Sequence, residues 1–274
     1  MNELIEIKKK NKIAIMITII AIIIIIFSLI NICIWAWENS KSKKVKNKID
    51  NMAIIIEKSG NDEEKIQEEK EILPTDPYWD FIKMNYVEVD FQKLLKENQE
   101  TVSWITVNGT NINYPVVQHS DNEYYLNHSF DGSENSAGWI FLDYRNNIEN
   151  TEKNTIIYGH SRENGTMFGS LKNIINNDWY NNSQNYVIKM STIKENTLWQ
   201  VFSIYKTPYT NDYIQTEFSN NNEFSKFINS IKNRSIYDFK TNIGINDNIL
   251  TLSTCYGLND RVVMHAKLIK KQER

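Results

Sequence analysis

A run of 25 residues without a charge, "IAIMITIIAIIIIIFSLINICIWAW", stretches from Ile13 to Trp37. As a helix it would reach about 37 Å at about 1.5 Å per residue, more than the roughly 30 Å hydrocarbon core of a bilayer. Trp35 and Trp37 close the run, where an interfacial aromatic belt would sit. A secretory signal carries only about 7–15 apolar residues and ends at a small-residue cleavage site. This run is longer and no such site follows, so the pattern predicts an uncleaved membrane anchor. Lysines flank both ends, Lys8, Lys9, Lys10 and Lys12 before it and Lys41, Lys43, Lys44, Lys46 and Lys48 after it, so charge alone sets no orientation.

The pattern changes twice more. Glu38 to Ile72 mixes eight lysines with nine acidic residues and carries no proline, which reads as a solvated, partly helical stalk over 38–74. From residue 75 the periods are those of a packed domain. "DFQKLLKEN" offers Asp90 as an N-cap, with Phe91, Leu94 and Leu95 on one helical face. "TVSWITV" and "NINYPVVQ" alternate as strands around Asn108-Gly109. "AGWIFLDY", "NTIIYGH", "NYVIKM" and "TLWQVFSIYKT" follow as strands, with Phe168, Leu171, Ile174 and Ile175 at helical spacing between the second and third. "NNNEFSKFINSIKNR" is an amphipathic helix with Phe224, Phe227, Ile228 and Ile231 on its apolar face. "NILTLST" and "RVVMHAKLI" close the chain as strands. About eight strands in roughly 200 residues predict one barrel or sandwich domain over 75–274.

Composition removes several classes. A formal net charge of −3 gives no footprint for nucleic acid. Of the two cysteines, Cys33 lies in the apolar run and Cys255 in the domain, so no disulfide framework is expected. The four histidines lack ligand spacing, so no metal is expected, and no cofactor motif is present.

Side-chain parity bears on Cys255. In the penultimate strand Leu250 and Leu252 share one face, while Ile249, Thr251, Ser253 and Cys255 share the other. In the last strand Val262, Met264, Ala266 and Leu268 form the apolar face, opposite Arg261, Val263, His265 and Lys267. With the apolar faces packed inward, Cys255 and Arg261 both point away from the core. A lone cysteine is otherwise a small buried hydrophobe, and Arg261 has a bland alternative as a surface ion pair with Asp260 or another acid.

A nucleophilic thiolate needs a proton-transfer partner. His119 and His128 lie in the polar loop "QHSDNEYYLNHSF" and read as surface residues. His265 stands four residues beyond Arg261, about 13 Å away at about 3.3 Å per residue, too far for a site at the strand start. His160, at the end of "NTIIYGH" and before a glycine-containing loop, remains by elimination.

"TLSTC" followed by an arginine at the start of the next strand, with "YGH" upstream, resembles the sortase family of membrane-anchored cysteine transpeptidases of Gram-positive bacteria. The resemblance covers about Thr75 to Lys271, with "WITVNGTNINYPVVQ" and "YGHSRENGTMFGSL" adding agreement, and the helix at Asn222–Arg234 is similar to the extra helix of class B. The five residues between Cys255 and Arg261 are fewer than is common in that class.

This resemblance implies a mainly β fold: one eight-stranded sortase-like barrel with N-terminal helices and a helix before the Cys strand, preceded by one transmembrane helix. It implies Cys255 as nucleophile, His160 as general acid/base and Arg261 as oxyanion and substrate-positioning group, with Asn113, Tyr158 and Ser253 as groove residues or structural hydrogen-bonders. The implied reaction cleaves a C-terminal sorting signal of a secreted protein through a Cys thioester and passes the acyl group to a peptidoglycan-precursor or pilin amine. Such substrates put the domain outside the cell, with residues 1–12 as a cytoplasmic tail. Two alternatives use the same residues differently: a Cys–His hydrolase on another fold, and a non-catalytic membrane-tethered β-domain that binds a partner.

Overall fold

The structure is a computed structural model of the 274-residue chain. It describes every residue except 54, 59–76, 150, 151 and 258, and of residues 2–10 the backbone alone. The chain divides into two compact units, Met1–Lys46 and Asn47–Arg274.

In the first unit the backbone is a single helix, α1 (Asn2–Met52), whose last turns belong to the second unit. Its apolar stretch has a mean hydropathy of 3.3, long and apolar enough to cross a membrane. The segment read as a stalk begins within α1. It continues α1 to Met52, and then Ile55–Lys58 forms β1, an antiparallel partner of β2 (Tyr86–Val89). Ile49 is fully buried. Residues 59–74 of that segment lie outside the described residues.

The second unit is built on a closed barrel. Between β1 and β2 comes the one-turn helix α2 (Tyr78–Phe81), and after β2 comes α3 (Gln92–Glu97). The Asp90 carboxylate accepts the Gln92 N–H at 2.9 Å, as an N-terminal cap would, although helical geometry already begins at Phe91. The barrel strands are β3 (Thr101–Val107), β4 (Asn113–Val117), β5 (Phe141–Leu142), β6 (Asn154–Tyr158), β7 (Val187–Thr192), β8 (Glu195–Pro208), β9 (Ile249–Tyr256) and β10 (Asp260–Glu273). They close in the order β10-β8-β7-β3-β4-β5-β6-β9. The eight-stranded mainly β barrel expected from the sequence is the architecture found.

Two local expectations changed form. "AGWIFLDY" contributes only Phe141 and Leu142 to the ladder, although Trp139 and Ile140 are fully buried beside them. The helix expected at 168–175 is a 3₁₀ helix, Gly169–Ile175. Phe168, Leu171 and Ile174 are buried while Ile175 is half-buried. A repeat of three fits the 3.0 residues per turn of a 3₁₀ helix better than the 3.6 of an α-helix. The one-turn α4 (Asn177–Tyr180) follows it.

The long helix α5 (Asn221–Asn233) starts where Asn220 accepts the Glu223 N–H at 3.0 Å. It decides what the outer face of the last strands meets. Phe224, Phe227, Ile228 and Ile231 pack with Phe202, Tyr205, Tyr213, Ile249 and Val263 in one buried cluster. Phe202 joins Tyr205 on this face because β8 carries an extra residue opposite the His265–Ala266 step of β10. On the other face Leu250, Leu252, Val262, Met264 and Ala266 are fully buried. Facing away from the barrel interior therefore does not mean facing water: Thr251, Ser253 and His265 are buried too, beneath α5 and its loops. The face emerges only at the end of β9 and the start of β10, where Cys255, Tyr256, Asp260 and Arg261 are half-buried.

Candidate active site

Three strands bring the singled-out residues to one rim. β9 and β10 are antiparallel neighbours, and their register sets Cys255 directly opposite Arg261. On its other side β9 runs parallel to β6, with Tyr158 beside Ser253. The contact continues past the ladder, since Gly159 N–H donates to the Ser253 carbonyl at 3.4 Å and the Thr254 hydroxyl to the Gly159 carbonyl at 2.7 Å. Carried on past its last pair, Tyr158 and Ser253, this parallel register would set His160 level with Cys255. Neighbouring strands are separated by about 4.8 Å, so Cys255 stands between a histidine strand and an arginine strand.

The backbone around His160 explains "YGH". A Cβ at position 159 would lie 2.8 Å from Cγ of Phe168, so only glycine lets that ring close over the strand end. The loop after His160 folds back on it: Arg162 N–H and Phe168 N–H both donate to the His160 carbonyl, at 3.2 and 3.0 Å. The imidazole is half-buried, and its Nε2 lies 2.7 Å from the Leu126 carbonyl. A carbonyl can only accept, so Nε2 carries the proton. In the neutral ring Nδ1 is then the basic nitrogen.

Among the described residues Arg261 has no acidic partner. Asp260, its proposed partner in a surface ion pair, binds Lys206 at 2.7 Å. Arg261 donates Nη1–H to the Asp260 carbonyl at 3.0 Å, and its guanidinium sits 5.0 Å from the ring centre of Tyr209. An open hollow at this point is lined by Pro208, Tyr209, Asn259 and Arg261.

The three weaker candidates each have a side-chain oxygen engaged by the protein. Ser253 shares a 3.0 Å hydrogen bond with the buried Tyr213 hydroxyl. Burial pushes the Tyr213 phenol up in pKa, against the opposing pull of Ser253 and the Arg261 charge. Tyr158 donates to Asp143 at 2.9 Å, and burial first, then the Asp143 charge, holds its proton far into the alkaline range. Burial of Asp143 favours its neutral form, but hydrogen bonds from Arg145 and Tyr158 outweigh it and hold the carboxyl below its usual range. Asn113 Oδ1 accepts from Trp104 Nε1 at 2.6 Å and from Thr106 at 3.1 Å.

The other histidines are accounted for. His119 is 2.7 Å from Glu100 and stacks on Tyr124, whose opposite face carries His128. His265 is fully buried between Tyr205 and Thr251 at 2.8 Å each. Burial, then the Arg234 charge, pushes its pKa down to about 3. Among the described residues no cluster of His, Cys, Asp or Glu could hold a metal. Sequence reasoning missed Tyr209 and Tyr213, which sit in the irregular segment "TPYTNDYIQ", and the Leu126 carbonyl, which has no sequence signature.

A cysteine faces an arginine on adjacent strands of an eight-stranded barrel, a histidine follows the next strand, and the family model of the sortase domain matches residues 105–269. The chain belongs to the sortase family, and is by that membership a cysteine transpeptidase. Its relatives are of class B. Sortase B of Staphylococcus aureus (strain NCTC 8325 / PS 47) is 36% identical over 189 residues, 68% of this chain and 77% of that protein. The structure of sortase B from Bacillus anthracis in complex with AAEK1 matches with 41% identity and a TM-score of 0.62, over 66% of this chain and 84% of that one. A Staphylococcus aureus sortase B–substrate complex matches with 36% identity and the same TM-score and coverage.

Proposed function

We propose that the chain is a membrane-tethered sortase that cuts a C-terminal sorting signal of secreted proteins and joins the acyl part to a cell-wall or pilin amine. The observation that carries this reading is the register setting Cys255 opposite Arg261, with His160 continuing the parallel strand on the other side. His160 Nδ1 takes the proton of the Cys255 thiol, and the resulting thiolate attacks the scissile carbonyl and forms a C–S bond. The carbonyl oxygen takes the negative charge, and Arg261, permanently cationic with several donors, stabilises it. Collapse breaks the C–N bond, and His160 Nδ1–H protonates the departing amine. The thioester keeps the acyl group reactive until the second amine attacks it. His160 Nδ1 then takes that amine's proton, an amide forms as the C–S bond breaks, and the proton returns to the leaving thiolate. Asn113, Tyr158 and Ser253 act in this reading as supports of the groove wall, because the Asn113 amide oxygen and the Tyr158 and Ser253 hydroxyls already have protein partners. The uncharged stretch of α1 anchors the enzyme in the membrane with the barrel outside, where exported substrates and wall precursors meet it.

The test incubates the full chain in detergent with a peptide library and an amine, and reads products by mass spectrometry. Cleavage at one short motif with amide product is expected. Free acid as the only product would overturn the transfer step, and turnover retained by Cys255→Ala would overturn the chemistry.

A further inference from the structure

Gly138 lies beside the ring of His160. It adopts φ +58°, and a Cβ there would lie 2.5 Å from the Tyr125 carbonyl oxygen, 2.8 Å from the Leu126 carbonyl oxygen and 2.8 Å from Cδ2 of His160. The Leu126 oxygen is the one that accepts the Nε2 proton of His160 at 2.7 Å. Imidazole, its carbonyl acceptor and the α-carbon of Gly138 therefore converge on one point that has room for no further atom.

The three obstacles differ in stiffness. The turn holding the carbonyls is tied from several sides. Leu126 N–H donates to the Glu123 carbonyl at 3.0 Å, Trp139 N–H to the Tyr125 carbonyl at 2.8 Å, and Asn135 N–H to the Asn127 carbonyl at 2.8 Å. The Tyr125 phenol is fixed at 2.6 Å to Glu100 and 2.8 Å to Asn98. Gly138 N–H itself donates to the Asn135 carbonyl at 2.9 Å. The imidazole is the far end of a rotatable side chain held by one hydrogen bond. A methyl at 138 would meet both carbonyls as well as the ring, so relieving it moves the Leu126 acceptor and the imidazole together.

We propose that Gly138 is a positioning residue for the general acid/base. By lacking a side chain it lets the Leu126 carbonyl lock His160 in one orientation, with the proton on Nε2 and Nδ1 turned toward Cys255. The proposal rests on the reading of His160 as acid/base. It assigns the ring's tautomer and aim to a pair of backbone groups, the Leu126 carbonyl and the α-carbon of Gly138.

The experiment compares Gly138→Ala with Gly132→Ala in the full chain. Gly132 also has positive φ, +73°, but its Cβ would meet only the Tyr124 hydroxyl, at 3.5 Å. The second variant thus carries the backbone strain without the contact to His160. Peptide turnover is measured together with the ¹⁵N shifts of the His160 ring, which distinguish the two neutral tautomers. In wild type Nε2 is expected protonated. Gly138→Ala is expected to lose about 10–100-fold in kcat, the scale on which misplaced groups act, with KM little changed and the two ring-nitrogen signals moved toward each other. Gly132→Ala keeps wild-type kcat and ring shifts. Should Gly138→Ala fail to fold, the wild-type ring spectrum still decides, because an Nδ1-protonated ring overturns the proposal. Gly138→Ala indistinguishable from Gly132→Ala in both readouts, with His160→Ala inactive, overturns this proposal alone. Wild-type turnover in His160→Ala overturns the acid/base reading on which it rests.

Discussion

Arg261 faces Cys255 across the β9–β10 ladder, one residue from an aspartate that is already paired with Lys206. The guanidinium therefore keeps its charge for whatever binds above the thiol. Replacing Arg261 with Ala is expected to lower kcat about 10²–10³-fold, the cost of removing one donor to a developing oxyanion. Arg261→Lys recovers little, since one ammonium cannot reproduce a planar fork of donors. Steady-state cleavage of the sorting peptide measures both, and an Arg261→Ala enzyme with wild-type kcat/KM would remove the assigned role.

Cys255→Ala is expected to reduce turnover to background while the fold persists. The side chain lies at the half-buried strand end, where a lost sulfur leaves no sealed void. Circular dichroism and the thermal midpoint should match the parent, and mass spectrometry should find no acyl adduct. An adduct surviving the substitution would place the nucleophile elsewhere.

The buried carboxylate of Asp143 depends on Arg145. Its side chain is fully buried and that of Arg145 is 35% exposed. Arg145→Ala is expected to cost about 3 kcal/mol, the low end for orphaning a buried charge because solvent reaches the guanidinium. The pH dependence follows from the lowered Asp143 pKa. The stabilisation is complete above the ordinary value of 3.8 and is lost as pH falls through the lower value of the folded state. Arg145→Ala should therefore lose less, relative to wild type, at pH 3 than at pH 7, as urea denaturation at the two pH values will report.

His265 adds an acid sensitivity of the same sign in a higher pH window. The folded state keeps this ring neutral down to about pH 3, whereas the unfolded chain protonates it near 6.5. Between those values the unfolded state binds one more proton, so stability falls by about 1.4 kcal/mol per pH unit on acidification. His265→Asn should start less stable at pH 7.5 yet show a shallower slope between pH 6.5 and 4. An unchanged slope would mean that another group carries the titration.

Much of this arrangement was legible in the chain. The alternation in "NILTLST" and "RVVMHAKLI" is strict enough to put Cys255 and Arg261 on one face, and a hairpin then makes them partners. The helix at Asn221–Asn233 announced itself by four apolar residues, all of them buried. The pattern could not say that α5 would cover the outer face. Polar residues there signal satisfied hydrogen bonds and not water: Thr251 donates to Asn154 at 2.6 Å and meets His265, while Ser253 meets Tyr213. The strand pairing of Ile55–Lys58 was hidden because a charged neighbourhood masks four residues with little period of their own. The acceptor for His160 was invisible for a simpler reason, since every residue has a carbonyl and only the fold chooses which one is used.

The strands close on themselves, β9 joining β10 at one side and β6 at the other. An open sheet offers a docking peptide a row of unpaired amides and carbonyls, and recognition by strand addition follows. The rim strands here already have both neighbours, so an extended substrate finds no vacant seam there. Its sequence must be read by side chains and loop backbone above the rim, and selectivity can change with the loops while the barrel beneath stays the same.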